Sequence, residues 1–219
     1  MYKIGLIDDE SNELMKIRRT IKANAPKDVV FDFKQYELNG KANNLMQEIA
    51  NQVIKDIENN EINILIIDYK IMIETEKLEG TEILKQILQV APNFPMIILT
   101  DVIEDSIAHD FVDPDKVYKK SEFFKVLENY SKEKTLNLFR NMERYVSTRT
   151  LLEQKLKDLK TDINREGTKQ ETVDKIVNVE SELDKFCPTD QSQIEKVFDA
   201  KKVKEILELL EKAKKLMEK

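Results

Sequence analysis

Five short apolar runs, separated by stretches of helical period, constrain this chain more than any other feature. Lys3-Ile4-Gly5-Leu6-Ile7, Val29–Phe33, Ile62–Ile67, Met96–Leu99 and Lys116–Tyr118 read as strands. Three of them are too apolar to face water, so both faces of their sheet must be covered. Between them, Asn12–Ala23, Lys41–Glu58, Thr81–Val90 and Glu104–Asp110 have helical composition. A fifth helix begins at Ser121, a residue of N-cap type, and carries Phe123, Phe124, Val126 and Leu127. Strands and helices in strict alternation predict a doubly wound α/β fold with a five-stranded parallel sheet and right-handed crossovers.

Beyond residue 130 the pattern changes. Residues 1–130 carry 16 Lys+Arg against 24 Asp+Glu, a charge of −8, whereas residues 131–219 carry 20 against 18, a charge of +2. Three of the four glycines and four of the five prolines lie in the first part. We therefore place a domain boundary near residue 130, with an all-α, coiled-coil-like module over 131–219. Leu136, Phe139, Met142 and Val146 begin an apolar stripe that Leu152, Leu156, Leu159 and Ile163 continue. Val173, Ile176, Val179, Leu183 and Phe186 form a second stripe, and Ile194, Val197, Phe198, Val203, Ile206, Leu207, Leu210 and Met217 a third. These stripes suit an intramolecular bundle core, and an intermolecular seam joining a homodimer is the alternative. With neither Pro nor Gly between Pro114 and Gly167, the fifth helix is free to run straight into the first stripe.

Residue counts exclude several classes of site. One cysteine, Cys187, rules out an internal disulfide framework and a multi-thiolate zinc centre, and one histidine, His109, rules out a His-rich metal site. No apolar run approaches the roughly 20 residues needed to cross a bilayer. A cytoplasmic protein is expected. The +2 charge of the C-terminal part, without a helix-turn-helix pattern, gives no nucleic-acid signature.

In an open α/β sheet, sites form beyond the carboxyl ends of the strands where the order reverses. The first run ends in Asp8-Asp9, the third in Asp68, the fourth in Thr100 and the fifth in Lys119-Lys120. With the flavodoxin-like order 2-1-3-4-5, three carboxylates, a hydroxyl and an ammonium converge. Clustered carboxylates repel one another unless a divalent cation joins them, and Mg²⁺ takes a few carboxylate and carbonyl oxygens together with waters. A carboxylate beside Mg²⁺, with a hydroxyl and an ammonium for phosphoryl oxygens, is the set that phosphoryl transfer to a carboxylate needs.

At IGLIDDE, ILIIDYK, MIILT and VYKKS the chain resembles the receiver domain of two-component response regulators, the family of the chemotaxis response regulator. The resemblance covers about residues 1–130. It implies that Asp68 is the phosphoacceptor, that Asp8, Asp9, Asp68 and the backbone carbonyl of Lys70 hold Mg²⁺, and that Thr100 and a lysine read the phosphoryl group. Spacing from Thr100 favours Lys120 over Lys119. The donor implied is a sensor histidine kinase or a phosphotransfer protein, and the output an unknown protein reached through 131–219. Three features depart from the family: Ser121 stands where Pro usually follows the lysine, Asp101 where a small residue usually follows the threonine, and the loop YKIMIETEKLEG is long. That loop is expected to form a flap or a lengthened turn, and the Asp101 charge to crowd an incoming anion.

Two other functions use the same residues. One is a Mg²⁺-dependent phosphatase or phosphotransferase with Asp68 as nucleophile; the other is a scaffold whose receiver-like domain is never phosphorylated. Lys70 stands at the next-but-one position after Asp68, where such hydrolases often carry a second Asp. His109 reads as a surface residue in a charged segment, and Cys187 as a small residue at a helix end.

Overall fold

A computed structural model describes residues 1–38, 42–73, 76–166 and 170–187. The third C-terminal stripe, Ile194 to Met217, lies outside the described residues. Strands β1 (Tyr2–Ile7), β2 (Phe31–Gln35), β3 (Ile64–Asp68), β6 (Met96–Thr100) and β7 (Val117–Lys119) form a parallel sheet in the order β2-β1-β3-β6-β7. With the inserted hairpin β4 (Lys70–Ile73) and β5 (Glu76–Glu79) set aside, this is the expected order 2-1-3-4-5.

Alternation along each strand explains why the runs are apolar throughout. Ile4 and Leu6, Ile64 and Ile66, and Ile97 and Leu99 enter one core layer. Their neighbours Ile7, Leu65, Ile67, Met96 and Ile98 enter the other. The first layer is closed by α1 (Ser11–Asn24) through Leu14, Ile17 and Ile21, and the second by α2 (Ala42–Glu58) and α3 (Gly80–Val90) through residues such as Ile49, Val53, Ile83 and Ile87. Helix α4 is short, Ile103–Ile107.

The fifth helix does not continue straight. It divides into α5 (Lys120–Phe123) and the 38-residue α6 (Asn129–Glu166), with Leu127 between them at φ 71°. The Ser131 hydroxyl donates to the Phe123 carbonyl at 2.8 Å and accepts from Asn24 Nδ2 at 2.9 Å, which fixes the break against α1. A non-glycine residue in the left-handed region carries no advance signal when it is a leucine.

The compact unit runs from Met1 to Pro188. Leu138, Phe139 and Met142 of α6 belong to the same core layer as α1, whereas Tyr145 lies in the layer closed by α2 and α3. Helix α7 (Gln170–Leu183) packs along α6, and the turn after it returns to the body of the fold. There the Tyr145 hydroxyl donates to the Phe186 carbonyl at 2.9 Å, and the Asn93 N–H to the Lys185 carbonyl at 2.8 Å. The charge change at 130 marks a different surface, not a separate core. Among the described residues, no helix is long and apolar enough to cross a membrane.

Candidate functional site

Register brings the carboxylates together. Ile7 of β1 pairs with Ile67 of β3, so the next residues, Asp8 and Asp68, emerge side by side at the carboxyl edge. One oxygen from each of Asp8, Asp9 and Asp68 lies within 4.8 Å of the others. The Glu10 N–H donates to Asp8 Oδ1 at 2.8 Å, turning that side chain inward.

Of the two candidate lysines, Lys120 enters the cluster. Its Nζ is 3.0 Å from Asp8 Oδ2 and 3.1 Å from Asp68 Oδ1. Lys119 is exposed, with its Nζ 4.0 Å from Glu122. Thr100 ends β6 and is buried, and its Oγ1 accepts the Val102 N–H at 3.0 Å, leaving the hydroxyl hydrogen to donate elsewhere. Glu13 was not singled out in the sequence, yet its Oε2 lies 3.7 Å from Lys120 Nζ. Its only signal was its place in the first turn of α1, which follows Asp8-Asp9.

Burial pushes the Asp68 carboxyl up to about 6; Lys120 opposes this, and Asp8 and Asp9 add to it. Burial likewise raises Asp8, against Lys120 and the Glu10 N–H. On Lys120, burial alone would lower the pKa, but the carboxylates of Asp68 and Asp8 outweigh it and the result is raised. One ammonium thus faces several carboxylates that it does not fully compensate. Three carboxylate oxygens so close together suit a hard divalent cation such as Mg²⁺.

The sign of the linkage gives a prediction. Folded Asp68 keeps its proton to about pH 6, above its ordinary 3.8, so between these values the folded state binds more protons than the unfolded. Its contribution to stability therefore falls as pH rises through that window. In EDTA, Asp68→Asn should match the wild type near pH 4 and exceed it above pH 7 by on the order of 2–3 kcal/mol. Urea denaturation across pH 4–8 measures this, and a variant less stable than wild type at pH 7.5 contradicts it.

The long loop is a β-hairpin. Ile71 and Ile73 are buried in the core layer closed by α2 and α3, and Met72 between them is exposed. Ile73 and Met72 line one wall of a cleft of about 700 Å³, whose other walls include Asp8, Asp9, Ser11 and Tyr36. The hairpin closes on Gly80, whose N–H donates to the Tyr69 carbonyl at 2.8 Å. A Cβ at Gly80 would lie 2.1 Å from the Asp68 carbonyl oxygen, so only glycine fits behind Asp68.

Glu79 ties the hairpin to the segment after α4. It accepts from the Tyr69 hydroxyl at 3.2 Å and lies 3.1 Å from His109 Nε2, so His109 is a half-exposed partner of a carboxylate. Lys70 opens β4, and its ammonium lies 3.5 Å from Asp105 of α4. The Asp101 carboxylate is tied to the start of α5: its Oδ1 accepts the Ser121 N–H at 2.8 Å. Partial desolvation opposes its charge, but Ser121 and the charges of Lys119 and Lys120 hold its carboxyl below the usual range. Cys187 is half-buried, and burial pushes its thiol up.

No protein-family model matches the chain, and no curated protein is significantly similar to it in sequence.

Proposed function

We propose that this chain is a response-regulator-type phosphoacceptor, a switch rather than a metabolic enzyme. The observation that carries the reading is the Lys120 ammonium between Asp8 and Asp68, beside three carboxylates whose oxygens lie within 4.8 Å, at the carboxyl edge of a 2-1-3-4-5 sheet. Asp68 would attack the phosphorus of a phosphohistidine on a sensor histidine kinase or phosphotransfer protein. An O–P bond forms to the carboxylate, the N–P bond breaks, and the imidazole leaves with its electron pair and takes up a proton. Asp8, Asp9, Asp68 and the Lys70 carbonyl would hold Mg²⁺, which supplies positive charge against the phosphoryl oxygens.

Two groups of the chain would respond to the product. Lys120 has Asp8 as an alternative partner, so it can follow the new anion without leaving a carboxylate wholly unpaired. The Thr100 hydroxyl hydrogen would donate to a phosphoryl oxygen and move the start of the β6–α4 loop with it. The output would be an unknown protein recognising 131–219, in the cytoplasm, with a homodimer as an alternative assembly. The phosphatase reading lacks support at Lys70, whose ammonium pairs with Asp105 where an acid/base carboxylate would be needed.

Beryllofluoride, a phosphoryl mimic, with Mg²⁺ should change the fluorescence of the tyrosines, Tyr69 being adjacent to the acceptor. Asp68→Asn should remove the change, and a generic phosphate ester should give no turnover. Steady release of phosphate that depends on Asp68 would favour the hydrolase instead.

A further inference from the structure

Lys120 carries its charge on a long flexible side chain, so its place between Asp8 and Asp68 depends on how the backbone that bears it is held. That backbone is gripped on both sides. Before it, the Lys119 N–H donates to the Tyr130 hydroxyl at 2.8 Å. After it, the Ser121 N–H donates to Asp101 Oδ1 at 2.8 Å. Lys120 begins α5, and the preceding residue, Lys119, offers no side-chain capping bond. An acceptor reaching across from the end of β6 fills that role.

We propose that Asp101 is a positioning residue for Lys120: by accepting the Ser121 N–H it fixes the start of α5 so that the Lys120 ammonium stands between Asp8 and Asp68. The two sequence departures at this edge then form one device, because the bond needs both an acceptor at 101 and an N–H at 121, which proline lacks. The effect on phosphoryl transfer rests on the function proposed above; the effect on Lys120 does not. Asp101 is exposed, so its replacement leaves the core untouched.

Two substitutions separate the hydrogen bond from the charge. Asp101→Asn keeps an acceptor oxygen and removes the charge, whereas Asp101→Ala removes both. The readout is competitive acetylation of the full-length protein without metal, resolved by lysine in mass spectrometry. Lys120 should become about tenfold more reactive in Asp101→Ala, the scale of one lost hydrogen bond to a charged group, and stay near wild type in Asp101→Asn. Lys119 should change less than Lys120 in Asp101→Ala. Unchanged Lys120 reactivity in Asp101→Ala, or Asp101→Asn as reactive as Asp101→Ala, overturns the proposal. With Mg²⁺ and an acyl-phosphate donor, labelling of Asp101→Ala should slow by a similar factor and that of Asp101→Asn should not. If wild type takes no phosphoryl group, the phosphoacceptor reading falls, and the acetylation pattern still decides the role of Asp101.

Discussion

Lys120→Met is expected to lose about 3–5 kcal/mol of stability at neutral pH in EDTA, the usual cost of removing one partner from a buried ion pair. The side chain is of similar length and apolar, so the loss reads the charge more than the volume. Asp8 is fully buried at its side chain, and Asp68 and Glu13 nearly so, and Lys120 is the cation that reaches all three. Without it, Glu13 keeps the Lys16 ammonium at 2.6 Å, but burial and mutual repulsion act on Asp8 and Asp68 without the ammonium that stood between them. Lowering the pH toward 4 should shrink the deficit, because Asp68 then takes up a proton and its charge disappears. Mg²⁺ should restore stability more in the variant than in wild type, since the cation has no ammonium to compete with; saturation at 100 times its dissociation constant adds about 2.7 kcal/mol. Urea denaturation with EDTA and with Mg²⁺ measures all three effects. A variant as stable as wild type in EDTA at pH 7.5 contradicts the electrostatic account.

Arg149→Met should be comparably damaging, far from the acid cluster. Arg149 is 5% exposed, and its guanidinium closes the end of α2: Nη1 donates to the Ile57 carbonyl at 2.7 Å and Nη2 to the Glu58 carbonyl at 3.1 Å. It also donates to the Tyr145 hydroxyl at 3.1 Å and to Glu153 at 2.8 Å. A cation at a helix C-terminus is favoured by the helix dipole, and here the contact joins α6 to the opposite layer of the fold. Losing hydrogen bonds from a charged group to the Ile57 and Glu58 carbonyls should cost roughly 2–4 kcal/mol, judged by denaturant midpoint. Arg149→Lys should recover only part, because an ammonium cannot present the planar fork. Glu153→Ala should cost under about 1 kcal/mol, since Glu153 is largely exposed. If Arg149→Met and Glu153→Ala were equally mild, α6 would not be clamped through the α2 terminus.

The sheet was legible because its runs are long enough in apolar residues to need cover on both faces, and because Asp8, Asp68, Thr100 and Lys120 stand where each run stops. Lys120 lies 3.0 Å from Asp8 and 3.1 Å from Asp68. What sequence could not reveal depends on contacts across the chain. Leu127 adopts φ 71° at the break where Ser131 and Asn24 fasten the next helix to α1, and no pattern within residues 120–131 announces it. The boundary at 130 came from charge, which describes the solvent-facing residues; Leu138, Met142 and Tyr145, which face inward, carry the packing that joins α6 to both core layers. Asp101 and Ser121 looked like separate departures because they are 20 residues apart in the chain. The hairpin after Asp68 is open between a flap and a turn in the sequence, since only KIMI shows the alternation that places Ile71 and Ile73 inward and EKLEG has little strand character.

The measurement that bears most directly on the account is the intact mass of the protein after incubation with an acyl-phosphate donor and Mg²⁺, followed by peptide mapping. The account predicts one added phosphoryl group per chain, located on Asp68, absent in Asp68→Asn and absent when EDTA replaces the metal. Labelling at full stoichiometry in Asp68→Asn, or a phosphoryl group mapped to any other residue, would contradict it.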